Sequence, residues 1–186
     1  LDIQTIDQVI DRIQPVPATL IDSANQYLDI LVKPPRSLGH LEDLAARLSA
    51  IGGQRGYAVQ RRCVLVFAAD NGVVAEGVSS APQVVTALQT QNILNGVAGM
   101  SVLAKRFATD FRVIDVGIAT DLEHPDLIVR KIAASTGNIA TGPAMTREQV
   151  LQALVIGIEA VENLAQDNFQ AIGLGEMGIG NTTTSS

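Results

Sequence analysis

The apolar positions fall into two regimes along the chain. Up to about residue 60 they recur at helical spacing. Ile6, Val9, Ile10 and Ile13 predict a first helix, stopped by Pro15. A second run begins near Pro17 and carries Leu20, Ala24, Leu28 and Ile30–Leu31 on one broad stripe before Pro34–Pro35. A third opens with Ser37 as a predicted N-cap, sets Leu41, Leu44, Leu48 and Ile51 at intervals of three, four and three, and closes at Gly52–Gly53. These runs predict a small helical region over residues 1–60.

From Arg61 the pattern changes. Cys63 to Ala69 is a continuous apolar run between Arg61–Arg62 and Asp70-Asn71-Gly72, which predicts a strand buried on both faces. A polar, glycine-bearing segment follows to Gln83, then a helix from Val84 to about Leu94 and another from Ser101 to Phe107. Phe111–Val116 predicts a second strand closed by Gly117, and Leu127–Ala133 alternates as a short edge strand would. Thr146 is placed to cap a helix from Arg147 to about Gln166, with Val150, Leu154, Ile158, Val161 and Leu164 or Ala165 on one face. Ala171–Gly175 predicts a third strand running into Glu176–Thr183. This order predicts a doubly wound parallel α/β domain over residues 61–186. Ligands in such sheets bind beyond the strand C-termini, where Asp70–Gly77, Asp115–Asp121 and Gly175–Thr183 should converge. Only two or three central strands are predicted, and Thr184-Ser185-Ser186 would ordinarily cap a further helix. We therefore expect the chain to be a fragment of a longer protein, or half of an assembly.

Composition narrows the class. Of 186 residues 47% are hydrophobic, enough for a real core and too many for a disordered chain. The balance of 13 Lys+Arg against 19 Asp+Glu gives a net charge of −6, and only 3% of residues are aromatic. Neither suits a nucleic-acid surface. The lone Cys63 excludes a disulfide framework and fits a reducing compartment. No apolar run approaches the roughly 20 residues of a membrane span, and residues 1–11 do not read as a signal peptide. The expectation is a soluble cytoplasmic protein, with neither nucleic acid nor membrane as partner, acting on something small.

The chemistry concentrates in the last loop. Gly173-Leu174-Gly175-Glu176-Met177-Gly178 fits G-x-G-x-x-G after a predicted strand, and backbone N–H groups in such a loop favour an anion. A dinucleotide site requires an acidic ribose ligand about 20 residues later, where this sequence offers none. A monophosphate or ribose site, or a plain structural turn, remains open. Glu176 at a strand tip is the best catalytic candidate, against the alternative of a capping or ion-paired acid. Asn181, Thr182 and Thr183 offer an amide and hydroxyls to ribose or phosphate oxygens, or simply cap a helix. Asp70 could bind a ligand or fix its own turn. An isolated helical Gln89 would ordinarily be a surface residue. His40 and His124 lack metal-ligand spacing and read as surface residues, Cys63 reads as core, and no metal or cofactor is expected. Lys33-Pro34-Pro35-Arg36 reads as a rigid basic hinge or a phosphate contact.

Several segments together resemble one family, the nicotinate-nucleotide:dimethylbenzimidazole phosphoribosyltransferases of cobalamin lower-ligand assembly. They are Lys33-Pro34-Pro35-Arg36-Ser37-Leu38-Gly39-His40-Leu41-Glu42, close to KPPGSLGxLE; Ala69-Asp70-Asn71-Gly72-Val73 with Glu76-Gly77-Val78-Ser79; Pro82-Gln83-Val84-Val85-Thr86; Val113–Gly117; Gly137-Asn138-Ile139-Ala140 with Gly142-Pro143-Ala144-Met145; and Gly173–Thr183. The resemblance implies a Rossmann-like parallel sheet flanked by helices, a small helical domain and a homodimer. It implies transfer of the phosphoribosyl group of nicotinate mononucleotide to 5,6-dimethylbenzimidazole or a related base, giving α-ribazole 5′-phosphate and nicotinate. By resemblance Glu176 matches an active-site glutamate, Met177 and Gln89 line the base pocket, and Gly178 with Asn181, Thr182 and Thr183 forms the nucleotide loop.

Three departures from the family pattern matter. The family's general-base glutamate lies far toward the C-terminus and has no counterpart here, so the isolated chain is expected to be inactive. Arg36 stands where Gly is usual. Ala81 replaces the Ser or aromatic residue common at the base pocket, which bears on the preferred base. The rival readings are a non-catalytic nucleotide-binding or regulatory subunit of the same fold and, less well supported, an oxidoreductase with a dinucleotide site.

Overall fold

The computed structural model describes residues 3–186, with side chains from residue 6 onward. Leu1 and Asp2, where the predicted helical region begins, lie outside the described residues. The first helix, α1, spans Ile3–Arg12. The chain divides into two compact units, one of Asp7–Val59 and one containing Gln60–Ser186.

In the smaller unit α2 (Ala18–Asp29) packs on α3 (His40–Gly52). The seam is made by small side chains, since Ala24, Ala46 and Ala50 are buried. The stripe expected to face the core does not: Leu41, Leu44 and Ile51 are 66%, 54% and 62% exposed. Alanines one turn apart let the two backbones approach closely, and the larger side chains fall beside the seam. At the far end Gly53 adopts the left-handed cap that the sequence predicts, φ 64°. Tyr57 then folds back onto Gly52, and the Arg55 guanidinium lies 4.8 Å from the Tyr27 ring centroid.

The start of α3 is organised differently from the prediction. Its N-cap is Gly39 rather than Ser37, and no side chain caps it from there. Glu42 instead reaches back one turn, where its buried carboxylate accepts the Leu38 N–H at 3.0 Å and meets Lys33 Nζ at 2.9 Å. Lys33 is thus committed to an internal ion pair. The Leu38 N–H, then Lys33, hold the Glu42 carboxyl below its ordinary range. Arg36 lies within this tight turn at φ 60°, a left-handed conformation that suits glycine.

The larger unit is built on a four-stranded sheet in the order β3-β2-β1-β4, with every pairing parallel. The strands are β1 (Arg62–Ala69), β2 (Asp110–Gly117), β3 (Leu127–Val129) and β4 (Ala171–Met177). β1 is central and buried on both faces, as its unbroken apolar run requires. Val66 and Ala68 pack with Val113 and Ile118 against Ile93 and Leu94 of α4 (Val85–Leu94) and Met100 of α5 (Gly99–Arg106). Cys63 and Leu65 pack with Ile114 and Phe169 on the opposite face against Ile156 and Leu164 of α6 (Arg147–Gln166). Burial in this second cluster pushes the Cys63 thiol pKa up.

Helices therefore cover both faces, as the doubly wound order of elements predicts, and the fold is the Rossmann-like α/β arrangement that the family resemblance implies. Thr146 caps α6 in a reciprocal capping box with Gln149, matching the sequence signal. The buried face of α6 is offset from the predicted stripe, running through Val155, Ile156 and Leu164 while Val150, Leu154 and Val161 stay exposed. Among the described residues no helix is long and apolar enough to cross a membrane.

Two outcomes are expected from the Lys33–Glu42 turn. Arg36→Gly should raise stability by about 1 kcal/mol in urea melts, because a left-handed residue with a Cβ costs roughly 1–2 kcal/mol and added glycine entropy returns part of that. For Glu42 the folded pKa is depressed, so its stabilisation is complete above the ordinary value of about 4.3. It is lost as pH falls through the lower folded value. Glu42→Gln should therefore flatten the acid limb of a stability–pH profile, and an unchanged limb would refute this.

Candidate functional site

The strand order sets the location of the site. From β1 the chain winds outward through β2 and β3, then returns through α6 to add β4 on the other side of β1. Such a reversal opens a crevice beyond the C-terminal ends of the two strands where it occurs. Here those ends are Ala69 and Met177, with Ala68 opposite Met177 and Phe67 opposite Glu176.

The loops that leave the strands are tied together by side chains. Asp115 Oδ1 accepts the Gly117 and Ile118 N–H groups at 2.9 and 2.8 Å, and Lys131 Nζ lies 3.5 Å from its Oδ2. Asp70 is 3% exposed and accepts the Ala119 N–H through Oδ2 at 2.7 Å. Its Oδ1 is buried and has no hydrogen-bond partner among the described residues. Gly72 sits so close to Thr136 and Gly137 that a Cβ would come within 2.6 Å of their backbone. Farther along that loop Asn138 Nδ2 donates to Glu76 at 2.6 Å. Beneath these connections is a cavity of about 170 Å³ lined by Ala69, Gly117, Ser135, Thr136, Met145 and Gln149.

The loop after β4 crosses directly over the end of β1. A Cβ on Gly178 would lie 2.0 Å from the Ala69 carbonyl oxygen and 2.8 Å from Asn71 Nδ2. Glycine is therefore required here by contact. Asn71 Nδ2 donates to the Ile179 carbonyl at 3.1 Å, and Asn71 Oδ1 accepts the Thr184 hydroxyl at 3.3 Å. From the other side Thr86 Oγ1, on α4, accepts the Ile179 N–H at 3.0 Å. The loop then enters α7 (Asn181–Thr184) through Gly180 at φ 85°.

The sequence candidates distribute over this framework as follows. Glu176 lies within β4 rather than in the loop, its carboxylate exposed and accepting the Ser185 hydroxyl at 2.9 Å. Met177, the next residue, packs on the opposite face against the buried cluster that contains Ala68 and Ile93. Gln89, on the same helix, is half-buried rather than on the open surface, and its Oε1 accepts the Asn92 amide at 3.1 Å. Ala81 is half-buried and its N–H donates to Ser79 Oγ at 3.2 Å. Gly178 is buried, Asn181 half-buried, and Thr182 and Thr183 exposed. His124 departs from the surface expectation: its side chain is 14% exposed, and its Nδ1 accepts the Asp126 N–H at 3.1 Å. Sequence reasoning does not single out Asn71 or Thr86 as site residues. A threonine in the first turn of a helix after a polar segment is the one available signal.

A parallel sheet with a tightly crossed loop at its reversal is the place where open α/β sheets take their ligands. The family model described as "DBI_PRT: Phosphoribosyltransferase" matches residues 13–186, and the chain belongs to that family. It is 46% identical over 181 residues to the nicotinate-nucleotide–dimethylbenzimidazole phosphoribosyltransferase of Clostridium perfringens strain 13, covering 97% of this chain and 50% of that protein. It is 48% identical to the protein of the same name from Nitratidesulfovibrio vulgaris strain DP4, covering 96% and 51%. The crystal structure of CobT from Thermus thermophilus superposes with a TM-score of 0.85 at 43% identity, covering 89% of this chain and 50% of that one. The chain spans about half the length of the curated relatives it matches.

The Gly178 contact yields a paired expectation. Gly178→Ala forces the loop off Ala69 and should cost about 1–3 kcal/mol, the usual range for overpacking. Gly157→Ala on α6, where a Cβ meets nothing within 4 Å, should be neutral or stabilise by about 0.5–1 kcal/mol. Equal effects of the two in urea melts would refute the close-contact argument.

Proposed function

We propose that this chain forms part of an enzyme that transfers the phosphoribosyl group of nicotinate mononucleotide to 5,6-dimethylbenzimidazole or a related base. The products are α-ribazole 5′-phosphate and nicotinate, and the role is cobalamin lower-ligand assembly. The observation that carries the reading is the match of residues 13–186 to the phosphoribosyltransferase family. The crossed loop at the strand reversal supports it, since that is where a nucleotide would lie.

In this reaction the bond between the nicotinate nitrogen and ribose C1′ breaks with its electron pair going to nicotinate. A benzimidazole nitrogen forms the new bond to C1′, and the base loses its N–H proton. Nicotinate leaves from a cationic form, so its departure needs no acid. Positive charge develops on the ribose, and Glu176, exposed near the end of β4, is the carboxylate that stabilises it in this reading. Met177, Gln89 and Ala81 serve the base, with the small Ala81 side chain leaving room for a different purine or benzimidazole. Gly178, Asn181, Thr182 and Thr183 serve the nucleotide. Asp70 belongs with them, because its orphaned Oδ1 calls for a donor such as a ribose hydroxyl. The proton acceptor is not among these residues, and the working enzyme is a homodimer.

Two measurements test this. Calorimetry with residues 1–186 should show binding of nicotinate mononucleotide, while chromatography with added dimethylbenzimidazole should show no nicotinate release. Turnover by this chain alone at the rate of a complete enzyme would overturn the assignment of the missing base. Binding without turnover in any pairing would make the chain a nucleotide-binding subunit. In the natural gene product Glu176→Gln should lower kcat by about 10²-fold, the size of one lost transition-state contact, with a smaller change in KM. The reverse pattern would reassign Glu176 to ground-state binding.

A further inference from the structure

The geometry points to Thr86 and Asn71 as positioning residues that hold the nucleotide loop against the base-side helix. Both polar backbone groups of Ile179 are taken by side chains from outside its own loop. Its N–H donates to Thr86 Oγ1 at 3.0 Å, and its carbonyl accepts from Asn71 Nδ2 at 3.1 Å. Thr86 is fully buried and Asn71 is 9% exposed, so the side-chain half of each bond is shielded from bulk water, while Ile179 is half-buried. In such surroundings each lost partner leaves a buried polar group unsatisfied, and the pair acts as a unit.

The clamp sits between the two proposed substrate regions. One residue before Gly178 is Met177, and two residues after Ile179 the loop reaches Asn181. Thr86 lies three residues ahead of Gln89 on α4. Thr90, also fully buried, donates its hydroxyl to the Thr86 carbonyl at 2.7 Å, fixing the turn of α4 that carries Gln89. Asn71 follows Asp70 directly and reaches past Ile179 to Thr184 at 3.3 Å. Neither side chain needs to touch substrate. Their effect is to set the spacing between the loop that takes the nucleotide and the helix that takes the base. A displacement of that loop by even an ångström is costly when two reactants must meet at one carbon. This inference rests on the proposed phosphoribosyl transfer for its kinetic part and on the geometry alone for its structural part.

The test uses the natural gene product with Thr86→Val, Thr86→Ser and Asn71→Asp. Valine keeps the shape and removes the acceptor, serine keeps the hydroxyl, and aspartate keeps Oδ1 while removing the Nδ2 donor. Hydrogen exchange of the Ile179 amide, read without ligand, should quicken at least about tenfold in Thr86→Val, as expected for an amide that loses its buried acceptor. It should remain near wild type in Thr86→Ser. Steady-state kinetics should show KM for nicotinate mononucleotide raised about tenfold in Thr86→Val and in Asn71→Asp, with Thr86→Ser restoring it. Wild-type exchange at Ile179 in Thr86→Val would overturn the clamp. So would a lowered melting temperature with KM and kcat unchanged, which is the signature of a merely structural bond. Should Thr86→Val fail to fold, Asn71→Asp and Thr86→Ser decide the same question. A wild-type protein that neither binds nor converts nicotinate mononucleotide overturns the proposed reaction, while the exchange result still decides the clamp.

Discussion

The parallel pairing of β1 with β2 on one side and β4 on the other is the constraint from which the rest of the larger unit follows. Parallel neighbours end at the same edge, so the registers Ala69 with Gly117 and Ala68 with Met177 deliver three loops to one place. A strand in that position is covered on both faces, which is why Cys63 to Ala69 contains no charged residue until Asp70. The first polar side chains after the strand are then buried by the loops they organise. Asp70 and Asn71 therefore have to find partners in neighbouring loops, and these partnerships shape the crevice.

The polar groups at this edge divide by whether the protein itself satisfies them. Asp115 is saturated by two backbone N–H groups and Lys131. Asn71 is used at both ends of its amide, and Thr86 by the Ile179 N–H. These are framework residues, however polar they look in the sequence. Asp70 differs, because one oxygen is framework and the other lacks a donor. An unsatisfied buried carboxylate oxygen is costly in the empty protein, and a ligand hydroxyl would recover that cost. Glu176 differs again: it is exposed and accepts the Ser185 hydroxyl.

Much of the fold was legible because it depends on local chemistry. The unbroken apolar run marked β1 as central, the Thr146–Gln149 pair marked the start of α6, and Gly53 marked the end of α3. What failed was the facing of helices. A periodic stripe says that one side is apolar, but the contact line is chosen by which residues permit close approach. In α3 the alanines won over the leucines, and in α6 the line shifted to Val155 and Ile156. Ser37 failed as a cap because α3 begins later, at His40, and Glu42 reaches back to the Leu38 N–H while pairing with Lys33. No local pattern encodes a side chain that reaches backward across a turn. The candidate site was legible as a set of loops at one edge. The bonds between loops, such as Asn71 to Ile179 across 108 residues, were not.

The signature segments of the sequence are consequently a mixture, and the mixture can be sorted physically. Lys33 and Glu42 serve each other, Gly72 makes room for Thr136 and Gly137, and Asn138 serves Glu76. Each of these would be retained by any protein that kept this scaffold, whatever it bound. Gly178 belongs partly to the same group, since its contact with Ala69 is intramolecular. Yet that contact is what brings the following Asn181, Thr182 and Thr183 to the crevice. A motif that spans scaffold and candidate site in one stretch, as Gly173–Thr183 does, ties the geometry of the crevice to the packing of the strand beneath it. The loop cannot be altered freely, because its first turn rests on the carbonyl at the end of β1.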